Sequence, residues 1–98
     1  MGKDIYNQIY SNVFKNQIKP NMKQLIYFHA LWCGPCKTLG PIIDKIPNVT
    51  KINVDSGSPL VAQYHVRAIP TVVILENGQE VNRFTGVKSE VEILNLLK

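Results

Sequence analysis

Cys33 and Cys36, the only two cysteines of the 98-residue chain, sit where an apolar run gives way to a helical pattern. Upstream, Gln24 to Ala30 carries the core Leu25-Ile26-Tyr27-Phe28, which suits a largely buried strand. Downstream, Leu39, Ile42, Ile43 and Ile46 mark one face of a helix that the pattern carries through Ile46, with Pro47 closing it. The stretch therefore predicts strand, tight turn and helix with the cysteines at the junction. One helical turn between the two Cα atoms lies within disulfide reach. Pro35 suits the first turn, where its missing N–H would have no helical partner. Cys33 faces the unpaired N–H groups and the positive end of the helix dipole, both of which favour thiolate. It is expected to be exposed and Cys36 shielded, the asymmetry that a thiol–disulfide exchanger needs, with one sulfur attacking and the other resolving.

The rest of the composition bounds the answer. Ninety-eight residues predict a single domain spanning 1–98. Eleven basic against seven acidic residues give a net charge of +4. The excess is dispersed (Lys3, Lys15, Lys19, Lys23) and reads as a solubility feature, with no nucleic-acid partner expected. No apolar stretch approaches the roughly 20 residues of a membrane span. Met1-Gly2-Lys3-Asp4 lacks the apolar region of a secretory signal, and Tyr6 stands where myristoylation expects Ser or Thr. A cytoplasmic protein is expected, and there such a cysteine pair is catalytic more often than structural. A closed zinc site usually needs four ligands, and His29 and His65 are not at ligand spacing, so no metal is expected.

Taken in order, Asp4 is a candidate N-cap for a helix along Ile5, Ile9 and Val13, ended by Pro20-Asn21. After the central stretch, Val49 to Val54 alternates and reads as a second strand. A strand–helix–strand sequence of this kind implies a parallel crossover. Ser58-Pro59 opens a short helix through Tyr64. Val72 to Leu75 and Val81 to Phe84, joined by Asn77-Gly78, predict an antiparallel hairpin. Ser89-Glu90-Val91-Glu92 is a capping box for a last helix. The fold class is α/β: a central mixed sheet of about four strands with helices on both faces.

Trp32-Cys33-Gly34-Pro35-Cys36-Lys37 resembles the active-site motif of the thioredoxin family residue for residue, and Ile69-Pro70-Thr71 resembles a second family segment. The resemblance extends over most of the chain and implies the thioredoxin fold. The family usually begins with a strand, for which only Met1 to Lys3 remain, so that strand is expected to be short or absent. It also implies a cis bond before Pro70, packed beside the cysteines, with the backbone of Ile69 binding an extended substrate segment. Trp32, Gly34 and Pro35 would support the site, and Trp32 would form part of the docking surface. Gly86 would leave room for a partner's backbone. Lys51 aligns with a family lysine and would act electrostatically on the buried cysteine.

Two positions depart from the family pattern. Tyr27 replaces a buried aspartate thought to help move the proton of the buried cysteine, and His29 replaces a tryptophan. Both point to the same side of a strand. His29 is either a packing histidine or a substitute base, since histidine titrates near neutrality.

The function implied is a thiol–disulfide oxidoreductase, a protein-disulfide reductase serving cell redox homeostasis and electron transport. Cys33 would attack and Cys36 resolve. No cofactor beyond the cysteine pair is expected. The expected partners are disulfide-containing substrate proteins and a thioredoxin-reductase-like donor, with the chain itself a monomer. The alternative is a thioredoxin-like binding module recruited for its surface.

Overall fold

The structure, a computed structural model, describes residues 23–98. The expected helix along Ile5, Ile9 and Val13, and any strand before it, lie outside the described residues.

Strands β1 (Lys23–His29), β2 (Val49–Asn53), β3 (Thr71–Glu76) and β4 (Gln79–Thr85) form one sheet in the order β2-β1-β3-β4. β1 runs parallel to β2, with Tyr27 opposite Lys51 and His29 opposite Asn53. β3 is antiparallel to both β1 and β4, so the sheet is mixed. The two central strands are apolar on both faces because both faces are covered.

Helices α1 (Gly34–Ile43) and α3 (Glu90–Leu96) lie on one face, where Leu39, Ile43 and Ile93 meet Leu25, Tyr27, Val72 and Ile74. The short α2 (Leu60–Gln63) lies on the other, where Leu60, Val61 and Tyr64 meet Ile26, Phe28, Val73 and Leu75. Alternation along β1 thus assigns odd residues to the α1 side and even residues to the α2 side. The α1 side is where the site is built.

α1 ends at Ile43, three residues short of the expected Ile46. The Lys45 and Ile46 amides turn instead onto the carbonyls of Ile42 and Ile43, at 3.1 and 2.9 Å. Ile46 is nonetheless in the core. A turn that closes on the third residue back returns a side chain to the same side, so the apolar spacing reported packing and not helix length. α1 continues through Pro41.

The loops follow their chemistry. Asn77 and Gly78 take φ 55° and 83°, as the tight hairpin requires. Val81 is an extra residue in β4, since Ile74 pairs with Asn82 but Leu75 with Glu80. Arg83 donates to the Glu80 carboxylate and, at 2.8 Å, to the Tyr64 carbonyl, tying β4 to the end of α2. Ser89 and Glu92 form the reciprocal capping box of α3, with bonds of 3.2 and 3.0 Å.

Candidate active site

The site begins where β1 ends. The Cys33 amide turns back onto the Ala30 carbonyl at 3.3 Å, and Cys33 becomes the extended N-cap of α1, with φ −89° and ψ 114°. Its Sγ takes the place of a capping oxygen and accepts the Cys36 N–H at 3.3 Å. Cys33 and Cys36 are joined as a disulfide, with Cα atoms 5.3 Å apart. Gly34 and Pro35 form the exposed first turn between them.

One expectation is corrected here. Cys33 is not exposed: each cysteine retains only 5% of its accessible surface. Ala30, Cys33 and Cys36 form a small buried cluster against which Val54 and Ile69 pack. The two residues are equally buried, and what separates them is position on the helix. Only Cys33 occupies the cap, where unpaired amides point.

Trp32 lies on the rim, 68% exposed. Its indole Nε1–H donates to Asp55 Oδ2 at 2.7 Å, and the Asp55 amide is in turn held by Asn53 Oδ1 at 2.9 Å. Ile69–Pro70 is cis, as the family segment implies. Thr71 Oγ1 donates to the Ala68 carbonyl, and the Gly86 amide donates to the Pro70 carbonyl at 3.0 Å. Gly86 has φ 82°, and no atom would lie within 4 Å of a Cβ placed there. The glycine is thus fixed by backbone conformation, and its outer side is open. Between Trp32 and the proline turn runs a largely apolar groove of about 230 Å³, lined by Val54, Val61, Val66, Arg67, Ala68 and Ile69.

The second side of the disulfide is different. A cavity of about 230 Å³ is bounded by Tyr27, His29, Leu31, Cys36, Gly40 and Lys51. The Tyr27 hydroxyl donates to the Cys36 carbonyl at 3.1 Å, and the Tyr27 ring stacks on His29 with centroids 5.0 Å apart. Gly40 lies beside this tyrosine: a Cβ there would stand 3.9 Å from the hydroxyl oxygen, an ordinary contact. Burial, reinforced by the Asp44 charge, raises the Tyr27 pKa above its usual 10.0. Burial, reinforced by Lys51, lowers that of His29 below 6.5. Lys51 is half exposed and ion-paired with Asp44, at the mouth of the cavity.

The structure brings the sequence-identified residues into two groups around one disulfide. Trp32, Ile69, Pro70 and Gly86 are on the groove side, and Tyr27, His29 and Lys51 on the other. Asp55 was not legible beforehand: an Asp two residues after an Asn signals a local turn, not a bond to an indole over 20 positions away. Val61, Val66 and Arg67 likewise reach the groove only through the placement of α2 and the loop after it. Among the described residues, no group of three or more His, Cys, Asp or Glu is placed to hold a metal.

A disulfide capping a helix at the end of a central strand, facing a cis-proline turn, puts this chain among the α/β proteins built around a cysteine pair. It belongs to the thioredoxin family: the family model described as Thioredoxin matches residues 6–98. It is 38% identical over 81 residues to the mitochondrial thioredoxin of Bos taurus, a match covering 76% of this chain and 49% of the relative. The chain thus spans about half the length of that relative. With the thioredoxin of Mycoplasmoides gallisepticum it shares 33% identity over 87 residues, covering 83% of this chain and 87% of the other. A solved thioredoxin from Halobacterium salinarum superposes with a TM-score of 0.72 at 34% identity, over 79% of this chain and 73% of that one.

Proposed function

We propose that the chain is a thiol–disulfide oxidoreductase that reduces disulfides in other proteins. The observation that carries this reading is the position of Cys33, disulfide-bonded to Cys36 while its Sγ accepts the first-turn amide of α1. In the reduced state that amide and the helix dipole favour the Cys33 thiolate. The thiolate attacks one sulfur of a substrate disulfide and forms a Cys33–substrate bond, and the other substrate sulfur leaves as thiolate. Cys36 loses its proton and attacks Cys33 Sγ. The Cys33–substrate bond breaks, the substrate departs with both electrons, and the protein is left as the disulfide. A reductase protein then returns two electrons to the pair.

Substrate binding follows from the groove side. An extended segment would lie along the Ile69–Pro70 turn with its apolar side chains against Trp32, Val61 and Val66, and the open side of Gly86 admits its backbone. The chain works as a monomer in this reading, in a reducing compartment such as the cytoplasm, where the dithiol can be regenerated. Turnover of insulin with dithiothreitol tests the reading. Reduction of the insulin disulfides by wild type, lost in Cys33→Ser, is expected. A wild-type protein no faster than dithiothreitol alone would leave a binding module.

A further inference from the structure

The release step requires the Cys36 proton to go somewhere, and the surroundings of Cys36 narrow the choice. Cys36 borders the cavity formed with Tyr27, His29, Lys37 and Lys51. Tyr27 is committed as a donor to the Cys36 carbonyl, and burial makes it harder still to ionise. Lys37 and Lys51 end in ammonium groups, which donate and offer no acceptor. Asp44 is held by Lys51 and is not part of the cavity wall. From β2, the residue opposite His29 is Asn53, which does not titrate. Among the described residues that line the cavity, His29 is the one group left with a basic lone pair near neutrality. It stands two residues from Tyr27 on the same face of β1, held in a ring stack.

We propose that His29 accepts the Cys36 thiol proton during substrate release, through water held in the cavity between Tyr27, His29 and Lys51. The volume suffices for several waters, and the surrounding hydroxyl, imidazole and ammonium groups supply the partners such waters need. The proton leaves Cys36 Sγ for the imidazole and the Cys36 thiolate attacks Cys33 Sγ. Once the substrate has left, the imidazolium returns its proton to solvent. Burial and Lys51 keep His29 neutral, hence able to accept, at pH 7. Lys51 acts here through its charge on His29. The role rests on the exchange chemistry proposed above.

Stopped-flow reaction of the reduced protein with a chromogenic aromatic disulfide tests it. One aromatic thiolate is released when Cys33 attacks and the second when Cys36 resolves, so the two rates are read separately. In His29→Gln the ratio of the second rate to the first is expected to fall by roughly 10²-fold at neutral pH, the low end of what a positioned base contributes. Wild-type resolution should rise with pH through a midpoint below 6.5. That limb should vanish in the variant, and added imidazole should restore part of the rate. An unchanged ratio and unchanged pH profile would overturn the role, as would equal slowing of both phases, which marks a packing residue. Absence of the first phase in wild type would instead remove the exchange reading, and the role of His29 with it.

Discussion

As residues, Cys33 and Cys36 are equally buried, so the difference in their chemistry is argued from their positions on the helix. Cys33 Sγ accepts an amide hydrogen at the start of α1, whereas Cys36 lies a turn inside it. Limiting iodoacetamide near neutral pH should therefore modify Cys33 first in the reduced protein, and peptide mapping reads this directly. Cys36→Ser should accumulate a covalent complex with substrate, visible on non-reducing gels, and Cys33→Ser should not. Preferential labelling of Cys36 would reverse the roles. How far this was legible beforehand follows from range. The cysteine pair, the cap and the proline turn are written in contiguous motifs. The burial of Cys33 is not, because Val54 and Ile69 cover it from over 20 and over 30 residues away. The bond from Tyr27 to Cys36 was hidden too: the motif holds Cys36 and the strand before it holds Tyr27, but neither says that the hydroxyl reaches the helix backbone.

Among the helices and turns, local chemistry decided most outcomes. Ser89 accepts the Glu92 amide and the Glu92 side chain returns to the Ser89 amide, satisfying two donors that the start of α3 would otherwise expose. Ser89→Ala should cost about 1 kcal/mol, measured by urea unfolding. At Gly86 the cost has another origin. Its φ of 82° belongs to the left-handed region, and a Cβ there would meet no atom within 4 Å. Gly86→Ala should thus cost about 1–2 kcal/mol from backbone conformation alone. If substrate backbone passes over this position, the variant should also weaken insulin turnover beyond what its stability loss explains. The capping box, the Asn77-Gly78 turn and the strand cores were all readable because each is a local pattern. The early end of α1 was not, since a continuing helix and a closing turn both bring Ile46 to the core.

For the molecule as a whole, the shifted groups predict how stability follows pH. His29 titrates below 6.5 in the folded chain, so its contribution is complete above that pH and declines as the pH falls through its folded value. Glu80, hydrogen-bonded to Arg83, and Glu92, bonded to Ser89, titrate below 4.5 when folded. Their contributions hold above 4.5 and are lost as the pH falls through their folded values. Tyr27, shifted above 10.0, acts in the opposite sense and sets an alkaline decline beginning there. Urea midpoints should therefore fall in two limbs on acidification, and His29→Gln should remove the upper limb while leaving the lower one.

The irregularity in β4 bears on a different matter, the life of the protein at high concentration. Among the described residues β4 is the last strand of the sheet on its side, and a flat outer strand is a template on which other chains add and fibres grow. The extra residue at Val81 breaks the even spacing that an incoming strand would need, and Glu80 and Arg83 set opposite charges on either side of the break. The same bulge that adjusts the hairpin register thereby keeps that border from recruiting a neighbour, and a crowded solution of these molecules is protected there against growth into cross-β aggregates.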